Sequence, residues 1–159
     1  MDRVTKRLTF DLNRIIDQQQ YPSIESRAFN LKLRPIGIGV QGLADLLIAA
    51  GIEYDSHQAR LVNFRIFETI YYAALDASCQ LASDHGPYEY WDGSPTQKGH
   101  LQFDLWNQSD TSTRRLDWQA LKTSIKVSGL RNSVLIASGS DSCPSLFGGY
   151  KNSFEPHER

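Results

Sequence analysis

The sequence predicts a helix-rich α/β fold, and two kinds of pattern lead to this prediction. Apolar residues recur every three or four positions along several stretches, the longest between Asp55 and His85, as is typical of helices packed on a core. Two shorter stretches, 34–40 and 132–137, have the aliphatic composition of buried strands. The chain has 159 residues, 40% of them hydrophobic, which is enough apolar material for one core.

The first predicted helix ends before Tyr21 and Pro22 and carries a single apolar stripe. We expect this helix to pack against another element through the stripe. The residues of the stripe are Val4, Leu8, Leu12, Ile15 and Ile16.

The first predicted strand, Arg34–Val40, alternates β-branched residues with glycines. The side opposite Ile36, Ile38 and Val40 therefore has no side chains, and another backbone could approach it closely. The strand should lead into a helix from about Gly42 to Ala50, which Gly51 ends in the left-handed conformation.

The longest helix is predicted to begin at Asp55 or Ser56, either of which can cap it, and to end at His85-Gly86-Pro87. It carries two apolar rows, so it is apolar around much of its circumference, as expected of a helix buried in a larger body. The rows are Val62, Ile66, Ile70, Ala73, Ala77 and Leu81, and Phe67, Tyr71, Leu75, Cys79 and Ala82. We interpret the adjacent Tyr71 and Tyr72 as packing residues rather than a radical relay.

The stretch from Gly86 to Thr113 lacks sustained periodicity and is predicted to be a long ordered loop. Asp117 then caps a short helix that Gly129 closes. Asn132–Ala137 follows as the second strand. The core-facing side of the short helix carries Trp118, Leu121 and Ile125.

Composition excludes several functional classes. Seventeen basic residues oppose eighteen acidic ones, so the chain lacks the positive charge of a nucleic-acid binder. The longest nearly apolar stretch, Leu43–Gly51, is far shorter than the roughly 20 residues that cross a bilayer. The first residues are charged and resemble no secretory signal, so we expect a cytoplasmic location.

Cysteine and histidine placement favours neither a disulfide framework nor a metal site. Cys79 is expected to be a buried, inert hydrophobe on the longest helix. Cys143 is expected to be accessible, but it has no His or Lys neighbour in sequence that would lower its pKa. The four histidines show no metal-binding spacing.

The loop after the second strand is the candidate binding site. Its small residues, Ser138 to Cys143, could turn amides and hydroxyls toward a phosphate. A surface loop is the simpler interpretation, because Ser/Gly clusters often follow strands and because Asp141 would repel a phosphate.

An ordered series of motifs strongly resembles the large, catalytic subunit of class I ribonucleotide reductase. The series covers most of the chain, and its order is specific in a way that a single motif is not. It comprises RPIGIGVQGLAD at 34–45, FETIYYAAL at 67–75, HGPY at 85–88, GSP at 93–95, KG at 98–99, QFDLW at 102–106, and Trp118, Leu121 and GLRN at 129–132.

The resemblance implies a partial segment of a ten-stranded α/β barrel, with residues 1–159 forming one incomplete segment. The family converts ribonucleoside diphosphates to deoxyribonucleoside diphosphates, using a radical from the small subunit, a thioredoxin-type reductant and ATP or dNTP effectors. The resemblance places the catalytic cysteines, asparagine and glutamate before this stretch and the radical-transfer tyrosines after it. We therefore expect no catalytic residue and no bound cofactor in this chain.

The resemblance leaves one functional element, the loop that holds the substrate phosphates in the family. In this chain the loop reads Ser140, Asp141, Ser142, Cys143 and Pro144. It departs from the family's Pro/Thr/Ser-rich turn, because Pro144 cannot donate an amide hydrogen and Asp141 adds negative charge. The family pattern returns at 153–156, so the altered run indicates either local divergence or a sequence error.

Three functions are compatible with the sequence. The first is a fragment of the reductase catalytic subunit, which acts only when the missing parts complement it or survives as a truncated gene product. The second is a non-catalytic module that pairs with an intact large subunit through exposed strands. The third, a freestanding nucleotide-binding domain, ranks last because the chain lacks a Walker or Rossmann motif.

Overall fold

The computed structural model describes residues 1–107, 115–137 and 149, and helices form most of that part of the chain. The helix-rich part of the predicted fold is therefore confirmed. The helices are α1 (Asp2–Gln18), α2 (Ile24–Leu33), α3 (Leu43–Ala49), α4 (His57–His85), α5 (Gln102–Leu105) and α6 (Trp118–Ser128).

The long helix α4 lies at the centre of the fold, with α1 and α6 packed against it. It begins as predicted, because the Ser56 side chain accepts a hydrogen bond from the Ala59 amide at 3.0 Å. It ends at Gly86, which has a φ of 79° that suits glycine. Residues from both predicted apolar rows are buried, including Ile70 and Leu75.

Helix α1 forms where predicted, but a different face of it is buried. Val4, Leu8 and Ile15 are 61%, 45% and 52% exposed, so the prediction that the whole apolar stripe packs inward is wrong. The buried face instead carries Thr5, Thr9, Asn13 and Ile16. Its polar groups can be buried because each hydroxyl or amide donates a hydrogen bond to a carbonyl four residues earlier.

Helix α2 was not predicted from the sequence. Ser23 caps it by accepting a hydrogen bond from the Ser26 amide at 3.1 Å, and Arg34 ends it in the left-handed conformation. None of its residues is buried. Leu31 and Leu33 pack against the core but are only partly buried, and their spacing of two residues does not give helical periodicity.

The remaining helices agree with the predictions, with one addition. Helix α3 ends near Gly51, whose φ is 66°, and Asp117 caps α6 by accepting a hydrogen bond from the Ala120 amide at 2.9 Å. The predicted long loop after Gly86 contains the short α5, where the Asp104 carboxylate accepts from the Leu101 amide. No helix in the described ranges is long and apolar enough to cross a membrane.

The two predicted strands lie side by side and parallel, but the described residues contain no continuous strand. They share one bridge, between Ile38 and Ile136. The amides of Ile36 and Ile38 donate to the carbonyls of Val134 and Leu135, both at 3.0 Å. Within the described residues no further strand lies beside these two short segments, and so short a pair supports little regular pairing, which explains the departure from the predicted strands. We refer to residues 34–40 and 132–137 as the paired segments.

The glycines of the first segment face the second segment, so the predicted close backbone approach is confirmed. A Cβ atom at Gly37 would lie 3.0 Å from the Cβ of Ala137, and one at Gly39 would lie 3.2 Å from the Ala137 carbonyl oxygen. A Cβ atom at either position would therefore push Ala137 away by a few tenths of an ångström.

This contact predicts a compensating pair of substitutions. We expect Gly37→Ala to lower the free energy of unfolding by about 1–2 kcal/mol, because it overpacks the contact with Ala137. Adding Ala137→Gly should recover part of the loss, since it removes the opposing methyl group. Urea unfolding of the two single variants and the double variant measures this coupling, and strictly additive losses would contradict the contact.

Candidate functional site

The candidate site is the carboxyl end of the paired segments, where ligands commonly bind in parallel α/β folds. The second segment runs to Ala137, whose amide donates to the Ile38 carbonyl at 3.3 Å. Ala137 is the last described residue before the predicted phosphate loop. The loop residues themselves, Ser140, Asp141, Ser142, Cys143 and Pro144, lie outside the described residues.

A buried amide holds the start of the second segment. The Asn132 side chain is 1% exposed and forms four hydrogen bonds. Its Oδ1 accepts from Asn13 Nδ2 at 3.0 Å and from Ser78 Oγ at 2.9 Å. Its Nδ2 donates to Asn13 Oδ1 at 3.1 Å and to the Arg34 carbonyl at 2.8 Å. The donor and acceptor capacity of this amide is therefore fully used.

Ser78 connects the same segment to α4. This side chain is fully buried, and its Oγ accepts hydrogen bonds from the amides of Arg131 and Asn132, each at 3.1 Å. The Ser78 carbonyl also accepts from the Arg131 amide. The second segment is thus attached to the central helix where the segment begins.

Arg34 connects the first segment to α1. Its guanidinium donates to both carboxylate oxygens of Asp17, at 2.7 and 2.9 Å, and to the side chain and carbonyl of Asn13. Arg34 is 3% exposed and has a φ of 47°, which is uncommon for a residue other than glycine. Its hydrogen bonds hold the pKa of Asp17 below the ordinary value. We call Asn13, Arg34, Ser78 and Asn132 the polar network.

A second buried group lies between α4, α5 and α6. The Trp118 ring contacts Tyr71, Tyr72 and Phe103, with centroid separations of 5.8, 5.2 and 4.9 Å. Its Nε1 donates to the buried Glu68 carboxylate at 3.1 Å. Burial raises the pKa of Tyr71, whose hydroxyl accepts from the Gln102 amide. The predicted packing role of the two tyrosines is therefore confirmed.

The described cysteine and histidines do not form a reactive cluster. Cys79 is buried as predicted, and burial raises the pKa of its thiol. His57 and His85 lie at opposite ends of α4 and His100 lies in a loop. Cys143 and His157 lie outside the described residues. Within residues 1–107 and 115–137, no three His, Cys, Asp or Glu side chains are grouped so as to hold a metal ion.

Two open cavities lie away from the polar network. One, of about 510 Å³, is lined by Leu43, Leu47 and Phe67 among others, between α3 and the first half of α4. The other, of about 470 Å³, lies beside Phe103 and Lys122. Neither cavity is lined by a residue of the polar network.

Sequence reasoning did not identify the polar network as a unit. One signal was available, because Thr5, Thr9 and Asn13 repeat every four residues and form a polar row on the predicted helix. Ser78 was equally visible as a polar residue among the apolar rows of α4. The pairing of Asn13 and Ser78 with Asn132, which is more than 50 residues away from each in sequence, depends on the tertiary structure.

Comparisons with known proteins cover nearly the whole chain. A family model described as "Ribonucleotide reductase, barrel domain" matches residues 1–158. The chain is 47% identical over 157 residues to a ribonucleoside-diphosphate reductase large chain of Neurospora crassa, covering 99% of this chain and 17% of the relative. It is 48% identical over 154 residues to the large subunit of Caenorhabditis elegans, covering 97% of this chain and 19% of the relative. The chain thus spans less than a fifth of the length of these relatives.

Proposed function

Since this chain belongs to the ribonucleotide reductase barrel-domain family, we propose that it is a segment of a ribonucleoside-diphosphate reductase large subunit and is inactive by itself. The observation that carries the proposal is the 47% identity to a reductase large chain over 99% of this chain. The complete subunit would convert ribonucleoside diphosphates to deoxyribonucleoside diphosphates. This segment would contribute part of the barrel.

The paired segments support a barrel that other parts of the large subunit complete. Ile36 and Ile38 direct their amides toward the second segment, whereas the amides of Gly37 and Gly39 form no backbone hydrogen bond within the described residues. An open edge of this kind can accept a further strand. The ten-stranded α/β barrel is accordingly part of the proposal.

The outer face of α1 supports the same assembly. Val4, Leu8 and Ile15 share one side of the helix and are exposed, although the opposite side of α1 packs against α4. Exposed apolar residues on the outer side of a packed helix indicate that another element covers that side as well. We propose that the rest of the large subunit covers this face and that the small subunit supplies the radical.

Binding of substrate phosphates is proposed for the loop formed by Ser140, Asp141, Ser142, Cys143 and Pro144. The family resemblance and the position of the loop after the second paired segment support this role. Radical, reductant and effectors would act through other parts of the subunit. The buried Cys79, whose thiol pKa is raised, is poorly suited to exchange with a reductant.

Complementation tests the proposed function. The chain is added to the Neurospora crassa large chain from which the matching segment has been deleted, together with small subunit, dithiol and a ribonucleoside diphosphate. We expect deoxyribonucleotide only when both pieces of the large subunit are present. The chain with small subunit and dithiol should give no product.

Two other outcomes would contradict the proposal. Turnover by the chain without the deleted subunit would show that it is an enzyme by itself. Failure to complement, combined with stoichiometric inhibition of the intact large chain, would instead favour the non-catalytic interaction module.

Reversion of the altered loop tests the phosphate site. Asp141→Thr with Pro144→Thr restores a donor and removes a negative charge, so nucleoside diphosphate binding should strengthen by about 1–3 kcal/mol. Calorimetry on the complemented subunit measures this change. Asp2→Thr, which removes the same charge from the N-terminal end of α1, serves as the control. Equal affinities for the reverted and unchanged loops would remove the loop from the site.

A further inference from the structure

We infer that Asn132 is a positioning residue for substrate binding, acting through the second paired segment. The polar network fixes where this segment begins, and the segment in turn fixes Ala137, from which the chain enters the proposed phosphate loop. This inference rests on the proposed function. It assigns a role to residues that touch neither substrate nor cofactor.

Hydrogen bonds set the register between the paired segments. The Ser133 amide donates to the Leu33 carbonyl at 3.0 Å, and the Ile36 amide donates to the Val134 carbonyl at 3.0 Å. Between these two bonds, Asn132 Nδ2 donates to the Arg34 carbonyl at 2.8 Å. The Asn132 side chain therefore adds one hydrogen bond between the two segments where their pairing begins. A shift of the register by one residue would break this hydrogen bond and turn every following side chain to the other face.

Asn132 is also held by hydrogen bonds to two helices. Asn132 exchanges two hydrogen bonds with Asn13 on α1 and accepts one from Ser78 on α4. A reversed amide would place oxygen against the Arg34 carbonyl and nitrogen against the nitrogen of Asn13, so only one orientation satisfies all partners. The segment is thus fixed relative to two helices and to the first segment at once.

The polar network occupies a buried position where apolar side chains could fill the space. Ser78 and Asn132 are 0% and 1% exposed within a mainly apolar core. A fully satisfied buried network contributes little more to stability than well-packed apolar residues, but it specifies one arrangement. A network that specifies one arrangement is suited to fixing the direction of the second paired segment, which leads to the proposed phosphate loop.

The test compares network variants with a matched control outside the network. Asn132→Asp removes both donated hydrogen bonds without changing side-chain size, and Ser78→Ala is a milder second variant. Thr9→Val is the control, because Thr9 is equally buried but its hydroxyl donates only to the Thr5 carbonyl of its own helix. Amide hydrogen exchange is measured on the chain. Steady-state kinetics are measured on the Neurospora crassa large chain in which this segment replaces the matching one.

We expect both network variants to speed exchange at the Ile38 and Ala137 amides by about tenfold or more over the control. We also expect the KM for ribonucleoside diphosphate to rise about tenfold while kcat changes by less than about twofold, because the groups that carry the chemistry are not moved. Should Asn132→Asp fail to fold, Ser78→Ala is compared with the control by the same measurements.

The inference is overturned if Thr9→Val speeds amide exchange as much as the network variants do, or if exchange at the Ala137 amide is unchanged. It is also overturned if KM does not rise or if kcat falls together with the rise in KM. An inactive chimera with no substitution would overturn the proposed function instead. In that case the exchange comparison still decides whether Asn132 positions Ala137, so the two failures can be told apart.

Discussion

Trp118→Ala is expected to lower the free energy of unfolding by about 3–5 kcal/mol, the usual range for truncating a buried tryptophan. Trp118 is 3% exposed and contacts Tyr71, Tyr72 and Phe103, so alanine would leave a cavity where α4, α5 and α6 meet. The substitution also removes the Trp118 donor to the buried Glu68 carboxylate, which accepts from the Arg115 amide as well. Urea unfolding followed by circular dichroism measures the loss.

Two further substitutions separate the causes of this loss. Trp118→Phe keeps an aromatic ring but removes the Nε1 donor, so it should cost less than alanine, by about 1–3 kcal/mol in total. Trp106→Ala is the matched control, because Trp106 is 65% exposed and its removal should change stability by no more than about 0.5 kcal/mol. Equal losses for Trp106→Ala and Trp118→Ala would show that α6 does not pack on α4 as described.

Asp17→Ala is expected to cost about 2–3 kcal/mol, because it leaves the Arg34 guanidinium buried without its counter-charge. This value is below the usual range for a broken buried pair, since the Asp17 side chain is 53% exposed and solvent screens part of the attraction. Adding Arg34→Met to Asp17→Ala should recover part of the loss, because it removes the uncompensated charge. Asp11→Ala, which removes the exposed partner of Arg7 and Arg14, should cost about 0–0.5 kcal/mol.

The same ion pair makes stability depend on pH. Arg34 lowers the pKa of Asp17 from its ordinary value of 3.8, so the unfolded chain binds a proton at this group more readily than the folded chain does. The stabilisation is therefore present above the unfolded pKa and is lost as the pH falls through the folded pKa. Thermal melts at neutral pH and below pH 4 should show the difference between the unsubstituted chain and Asp17→Ala shrinking in acid. A difference that stays constant would contradict the role of the charge.

The sequence determined by itself the elements whose signals are local. Helix α4 was predictable because Ser56 caps it, Gly86 ends it and its apolar rows repeat with helical spacing. The burial of Cys79 followed from its place on one of those rows. The ordered motifs also indicated the family, which the match over residues 1–158 confirms. Each of these inferences depends on residues close together in sequence or on their order.

The tertiary structure decided which faces and which distant residues meet. The apolar stripe of α1 predicts that Val4 and Leu8 face inward, yet Thr9 and Asn13 are buried, because their hydrogen bonds allow a polar face to pack against α4. Helix α2 was not predicted because Leu31 and Leu33, which pack against the core, are only partly buried and do not repeat with helical spacing. The bond between Asn13 and Asn132 joins residues 119 positions apart, and no local pattern specifies such a pairing. Burial of a polar group is favourable only when a partner is present, and the fold supplies that partner.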